Sequence, residues 1–138
     1  TPKPSSAASD VYKRQVLTPG GKLICSTYGK KHMQEVSRLV RDFDDRIVLS
    51  ADKLYERFGR ENGADILAPY FSRIFWESYK DSLLVPDAEP LISYILSCHG
   101  NQNQYLLDKY KDFRGFVSRK TKDGFFITKD AGIFLCEK

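Results

Sequence analysis

The run Val16-Leu-Thr-Pro-Gly-Gly-Lys-Leu-Ile-Cys-Ser-Thr-Tyr-Gly29 constrains this chain more than any other stretch. Pro19 has no N–H and a fixed φ, so a helix that reaches it must stop. Gly20 and Gly21 supply positive φ and room for a tight reversal. Leu23, Ile24 and Cys25 are consecutive apolar residues, the pattern of a strand buried on both faces of a parallel sheet. Gly29 breaks that run. The stretch reads as helix end, turn, buried strand and loop, which is the middle of an α/β unit.

Length and composition narrow the classes around this unit. A chain of 138 residues is long enough for one domain with a real core. The net charge of +4 is mild, and Lys3, Lys13 and Arg14 place part of the excess in the first fifteen residues, against Asp10. No basic cluster with interleaved aromatics follows, so no nucleic-acid surface is expected. The three cysteines, Cys25, Cys98 and Cys136, are scattered and lack Cys-x-x-Cys spacing. A reduced, cytoplasmic protein is the expectation. No apolar run approaches membrane-spanning length, and no signal-peptide core precedes the fold, so no membrane partner is expected.

Residues 1–15 are rich in Ser, Ala, Pro and Lys without an apolar period, and read as a disordered tail. The string Ser5-Ser-Ala-Ala-Ser-Asp-Val-Tyr-Lys-Arg-Gln15 resembles translated library-adapter sequence at the ends of environmental gene fragments. The natural sequence is therefore expected to begin near Val16, with residues 16–138 forming the C-terminal part of a domain. After Gly29, Met33, Val36, Leu39, Val40 and Phe43 recur at helical spacing, which predicts a crossover helix on the sheet, ended by Asp44-Asp45. Ser50 or Asp52 is placed to cap a short helix carrying Leu54 and Phe58, closed by Gly59 or Asn62-Gly63. A second short helical or irregular piece covers residues 64–71.

From Ser72 to Val85 the pattern changes to period two, predicting one long strand. Pro86 stops it, and Asp87 caps a helix through Leu91, Ile92, Ile95 and Leu96 ending at Gly100. A further helix carries Leu106, Tyr110, Phe113 and Val117 on one stripe. Lys122-Asp123-Gly124 is a turn, and residues 125–128 and 133–136 form a hairpin or one bulged strand. One parallel α/β unit with an antiparallel finish predicts an α/β fold with a mixed sheet.

These residues, in this order, resemble the C-terminal half of a class I, Rossmann-like S-adenosylmethionine-dependent methyltransferase. Leu17-Thr-Pro-Gly-Gly-Lys-Leu23 is similar to the Leu-x-Pro-Gly-Gly-x-Leu signature leading into the fifth strand of that fold. The segments Cys25-Ser-Thr-Tyr-Gly-Lys-Lys-His-Met33, Glu61-Asn-Gly63, Tyr70-Phe71, Tyr79-Lys-Asp-Ser-Leu83 and Lys129-Asp-Ala-Gly-Ile-Phe134 resemble a bacterial small-molecule subfamily. The resemblance implies a sheet in which the antiparallel seventh strand lies between the fifth and sixth, with helices flanking it. It implies S-adenosylmethionine as cofactor of the whole enzyme and a small-molecule methyl acceptor as partner. In that family a Gly-rich loop and a ribose-binding acid of the first half hold the cofactor. No Gly-x-Gly-x-Gly follows a strand here, so no cofactor-binding residue is assigned, and the chain alone is expected neither to bind the cofactor tightly nor to turn over.

Open α/β sheets bind ligands beyond the carboxyl ends of their strands. This singles out Ser26, Thr27, Tyr28 and His32, with Tyr28 as a wall and His32 as a base or substrate-orienting group. The plainer account is that Ser26 and Thr27 end the strand and His32 is solvated. Tyr70 and Trp76, with Phe58 and Phe71, fall where the family places its substrate cover, although an aromatic stripe is more often core. No residue is assigned as catalytic. Cys98-His99 lacks metal-ligand spacing, Ser26 lacks a Gly-x-Ser-x-Gly setting, and Arg38, Arg41, Asp42, Asp44, Asp45 and Arg46 read as a solvated helix end. The competing class is a non-catalytic interaction module, complete as written, whose first strand would be paired on both sides. The methyltransferase reading expects that strand to have an apolar edge.

Overall fold

The computed structural model describes residues 16–49, 53–98 and 103–138. Strand β1 (Lys22–Tyr28) is followed by helices α1 (Gln34–Phe43), α2 (Leu54–Arg57) and α3 (Gly63–Leu67). Strand β2 (Arg73–Val85) comes next, then α4 (Ala88–Ser97), α5 (Asn103–Asp108), α6 (Tyr110–Thr121) and strand β3 (Phe125–Glu137). The sheet order is β1-β3-β2, so the last strand lies between the other two. β3 runs antiparallel to β1, with Lys22 opposite Glu137 and Tyr28 opposite Ala131. Against β2, Ser72 donates to the Glu137 carbonyl and Gly132 lies at the Glu77 carbonyl, which again is antiparallel pairing. The expected mixed sheet is thus corrected among the described residues. β1 and β2 share a direction but are not neighbours, because β3 takes the place between them.

The chain divides into two compact units. Among the described residues, the first takes 16–32, 54–80 and 130–138. Its core holds Leu67, Phe71, Phe134 and Cys136, with Leu17, Leu23, Cys25, Phe58, Tyr70, Ile74 and Trp76 packed around them. Every strand contributes alternate residues: Leu23 and Cys25, Ile74 and Trp76, Phe134 and Cys136. That period of two fixes one buried face. It also overturns burial of β1 on both faces, since Ile24 points the other way and is 64% exposed.

The opening turn forms as the sequence demands, with the work divided between its glycines. Gly20 takes φ 77°. Gly21 donates to the Thr18 carbonyl at 2.8 Å, and a Cβ on it would meet that same oxygen at 2.7 Å. The turn is anchored at the far end of the chain, where Gly20 donates to the Lys138 carbonyl and Lys138 to that of Gly21.

The second unit takes the described residues within 33–53 and 81–129. Val36, Leu39 and Val40 of α1 pack with Ile47, Leu49, Leu91, Ile92, Ile95, Leu106, Phe113, Val117 and Ile127, the helical stripes anticipated from spacing. Ile127, Val85 and Phe125 are the strand residues of this cluster. Asp44 ends α1 in extended conformation. Asp87 occupies the N-cap of α4 without a side-chain capping bond, and α4 stops at Ser97, earlier than expected, as Cys98 turns extended. Ser50, Asp52, His99 and Gly100 lie outside the described residues. The stripe from Leu106 to Val117 is split into α5 and α6, because Lys109 leaves helical geometry at φ −122°, ψ 34°. The alternatives for the C-terminal segment resolve to a single 13-residue strand.

Candidate functional site

Past the carboxyl end of β1, in the first unit, is a cavity of about 300 Å³ lined by Ser26, Thr27, Tyr28, His32, Leu54, Phe58, Ala131 and Gly132. Such a volume lies at the small end of ligand-binding cavities. The four residues singled out at the end of the first strand all line it. Tyr70 and Trp76 do not; they pack against the Phe134 core instead, where Trp76 sits 4.7 Å from the Phe134 ring. Leu54, Phe58, Ala131 and Gly132 complete the lining. Ala131 and Gly132 could not be found from spacing, because they are brought in by pairing of β3 with β1.

Each wall has a local cause. Thr27 donates its hydroxyl to the Phe58 carbonyl at 2.8 Å, which fastens the segment after α2 to β1. Asn62 secures the same segment, accepting from the Gly59 N–H at 2.7 Å and donating to the Glu56 carbonyl at 2.8 Å. Phe58 is held from behind by Phe134, at a ring separation of 5.7 Å. Tyr28 and His32 stack with centroids 4.7 Å apart and planes 22° from parallel. The four-residue spacing that joins them is not helical: after β1 the chain bends at Gly29, and His32 donates its backbone N–H to the Gly29 carbonyl at 3.1 Å.

Asp130 meets the edge of the His32 ring. Its backbone N–H donates to Nδ1 of His32 at 3.2 Å, and its carbonyl accepts from the Gly29 N–H at 2.8 Å. Its carboxylate accepts from Arg60 at 3.0 Å and from the Lys31 N–H at 3.4 Å. Glu61 takes the neighbouring Lys30 N–H at 3.0 Å. Gly29 is needed where these acids converge, since a Cβ there would run into the Asp130 carboxylate and come within 2.8 Å of Glu61. Arg60 and Asp130 were not singled out from the sequence. The only signal for Asp130 was the Lys129-Asp-Ala-Gly segment, which carries a resemblance but no stated role, and Arg60 had none.

Chemically, the cavity is an apolar recess with a few polar atoms. Burial pushes the Tyr28 phenol above its ordinary value, so at neutral pH it is a donor and not a base. Among the described lining residues there is no carboxylate. The described residues contain no His, Cys, Asp and Glu cluster suited to a metal ion, and none of their helices is long and apolar enough to cross a membrane. No disulfide joins Cys25, Cys98 and Cys136. No protein-family model matches the chain, and no curated protein matches it.

Proposed function

We propose that residues 16–138 are the C-terminal half of a class I, Rossmann-like S-adenosylmethionine-dependent methyltransferase domain, contributing sheet scaffold and the acceptor-side wall of the site. One observation carries this reading: the sheet order β1-β3-β2, with the last strand antiparallel between the other two. This is the order implied for the fifth, seventh and sixth strands of that fold, and connection rules alone do not favour it over a simple meander. Two features support it further. The cavity lies at the carboxyl end of β1, where open α/β sheets take ligands. Among the described residues β1 has one sheet neighbour, β3, whereas a self-contained interaction module calls for pairing on both sides.

On this reading the whole enzyme uses S-adenosylmethionine and methylates a small molecule, with Tyr28 and His32 beside the acceptor. The cofactor loop and the ribose-binding acid belong to a half that this sequence does not contain. Calorimetric titration of the 138-residue chain with S-adenosylmethionine is expected to give no tight binding. Recovery of the upstream coding sequence is expected to reveal a strand followed by Gly-x-Gly-x-Gly, with an acid after the next strand. Tight cofactor binding by the chain alone, or an upstream sequence without those elements, would overturn the reading.

A further inference from the structure

The amide of Asp130 can only donate, so Nδ1 of His32, 3.2 Å away, must be the acceptor in this pair. The neutral imidazole then carries its hydrogen on Nε2. A histidine in that state takes up a proton only at Nδ1, the atom already engaged by the backbone. We propose that Asp130 is the positioning residue of this site, holding His32 as the Nε2–H tautomer and closing Nδ1 to proton transfer, so that His32 orients a ligand and does not act as a general base.

Pairing of β3 with β1 keeps the Asp130 amide in place whatever its side chain does, and the side chain makes separate contacts. The Asp130 carbonyl takes the Gly29 N–H at 2.8 Å, and its carboxylate, 11% exposed, is paired with Arg60 at 3.0 Å. The Lys31 N–H reaches the same carboxylate. The loop that carries His32 is therefore tied to Asp130 from Gly29, Lys31 and His32 itself. Stacking on Tyr28 fixes the plane of the imidazole, and the amide fixes which edge faces β3. A second-sphere partner that selects a histidine tautomer in this way is a familiar device at metal and catalytic sites.

The other polar side chains of the lining offer no substitute base. The Ser26 side chain is an alcohol, which takes up no proton at neutral pH, the Thr27 hydroxyl donates to the Phe58 carbonyl, the Tyr28 phenol holds its proton, and no carboxylate is present among the described lining residues. On the methyltransferase reading, none of the described lining residues of this chain then takes a proton from a bound methyl acceptor. That consequence rests on the methyltransferase reading; the tautomer of His32 does not.

Long-range ¹⁵N–¹H correlation of the imidazoles in the intact 138-residue chain tests the proposal, recorded at about pH 8, above the usual histidine titration. The chain has two histidines, and a His99→Gln variant assigns them. His32 is expected to favour the Nε2–H tautomer over the Nδ1–H form by about tenfold, the scale of one net hydrogen bond. Asp130→Asn keeps the amide and loses the Arg60 pair, and is expected to leave the tautomer unchanged. Asp130→Pro removes the N–H, and is expected to give the averaged tautomers of a free imidazole. An averaged ring or hydrogen on Nδ1 in the parent chain would overturn the proposal, and so would a tautomer change in Asp130→Asn. If Asp130→Pro fails to fold, the other two spectra still decide. Tight cofactor binding by the chain alone would retire the methyltransferase reading and leave the tautomer result standing.

Discussion

Thr128 meets the carboxylate of Glu35 with both of its donors, the backbone N–H reaching Oε2 at 2.9 Å and the hydroxyl reaching Oε1. Glu35 lies in the first turn of α1, where a negative charge also suits the helix dipole. Partial burial acts to raise its pKa, but the Thr128 hydroxyl and amide outweigh that and bring it below the ordinary value. A lowered carboxyl contributes stability above the unfolded carboxylate range and loses it as pH falls through the folded value. Stability from this contact is thus expected to decline below about pH 4.3, the unperturbed Glu value. Glu35→Ala should cost about 1–2 kcal/mol at pH 7 by chemical denaturation, and the difference from the parent should shrink in acid. A constant difference down to strongly acidic pH would refute the assignment.

Asp44 follows the same sign at lower pH. Its hydrogen bond to Arg46, at 2.7 Å, brings its pKa to about 2. A carboxyl ¹³C titration should find Asp44 ionised well below the range of ordinary aspartates, and Arg46→Gln should return it towards 3.9 or so. An unchanged midpoint in Arg46→Gln would show that the pair does not hold in solution.

Phe134 and Gly63 are matched by contact. A Cβ on Gly63 would lie 2.6 Å from Cζ of Phe134, and Phe134 is fully buried. Gly63→Ala should therefore destabilise by about 1–3 kcal/mol through overpacking, despite alanine's better helix propensity. Phe134→Ala should cost about 3–5 kcal/mol. In the double variant the freed space should absorb the new methyl, so the two costs should fall short of additivity. Strict additivity would separate the two sites.

Thr27 ties β1 to the segment carrying Phe58. Thr27→Val keeps the shape and removes the donor, leaving the Phe58 carbonyl to find water. A loss of about 1 kcal/mol is expected, with the largest amide-shift changes at Tyr28, Phe58 and Gly59. Shift changes confined to residue 27 and its neighbours in sequence would argue against this fastening.

Ile24 stands 64% exposed on the first strand, at the edge of the sheet in this chain. Edge strands with exposed apolar side chains invite intermolecular pairing. Ile24→Lys should raise the concentration at which light scattering appears while changing stability by only about 0.5 kcal/mol. Faster aggregation would place the self-associating surface elsewhere.

Much of the local structure was legible because its causes are local. The Pro19-Gly20-Gly21 turn, the helical stripe of Val36, Leu39 and Val40, and the alternation of Ile74 and Trp76 each depend on neighbours within a few residues. So did the general place of the cavity, since the end of β1 was readable from the glycine break. What spacing does not encode is which partner a residue meets. Tyr70 and Trp76 carry the same aromatic signal whether they line a cavity or back Phe134. Ile24 reads as buried until the other face of β1 is seen without cover from this chain's described residues.

The sequence by itself determined the elements, because φ preferences, side-chain period and turn chemistry act over short distances. The place of β3 between β1 and β2 was expected from the resemblance and not from spacing; tertiary structure alone decided that one face of β1 is the buried one and that Asp130 reaches His32 across 98 residues of chain. Those outcomes follow from strand pairing, where backbone hydrogen bonds are the same for every residue type and only the assembled sheet selects the register.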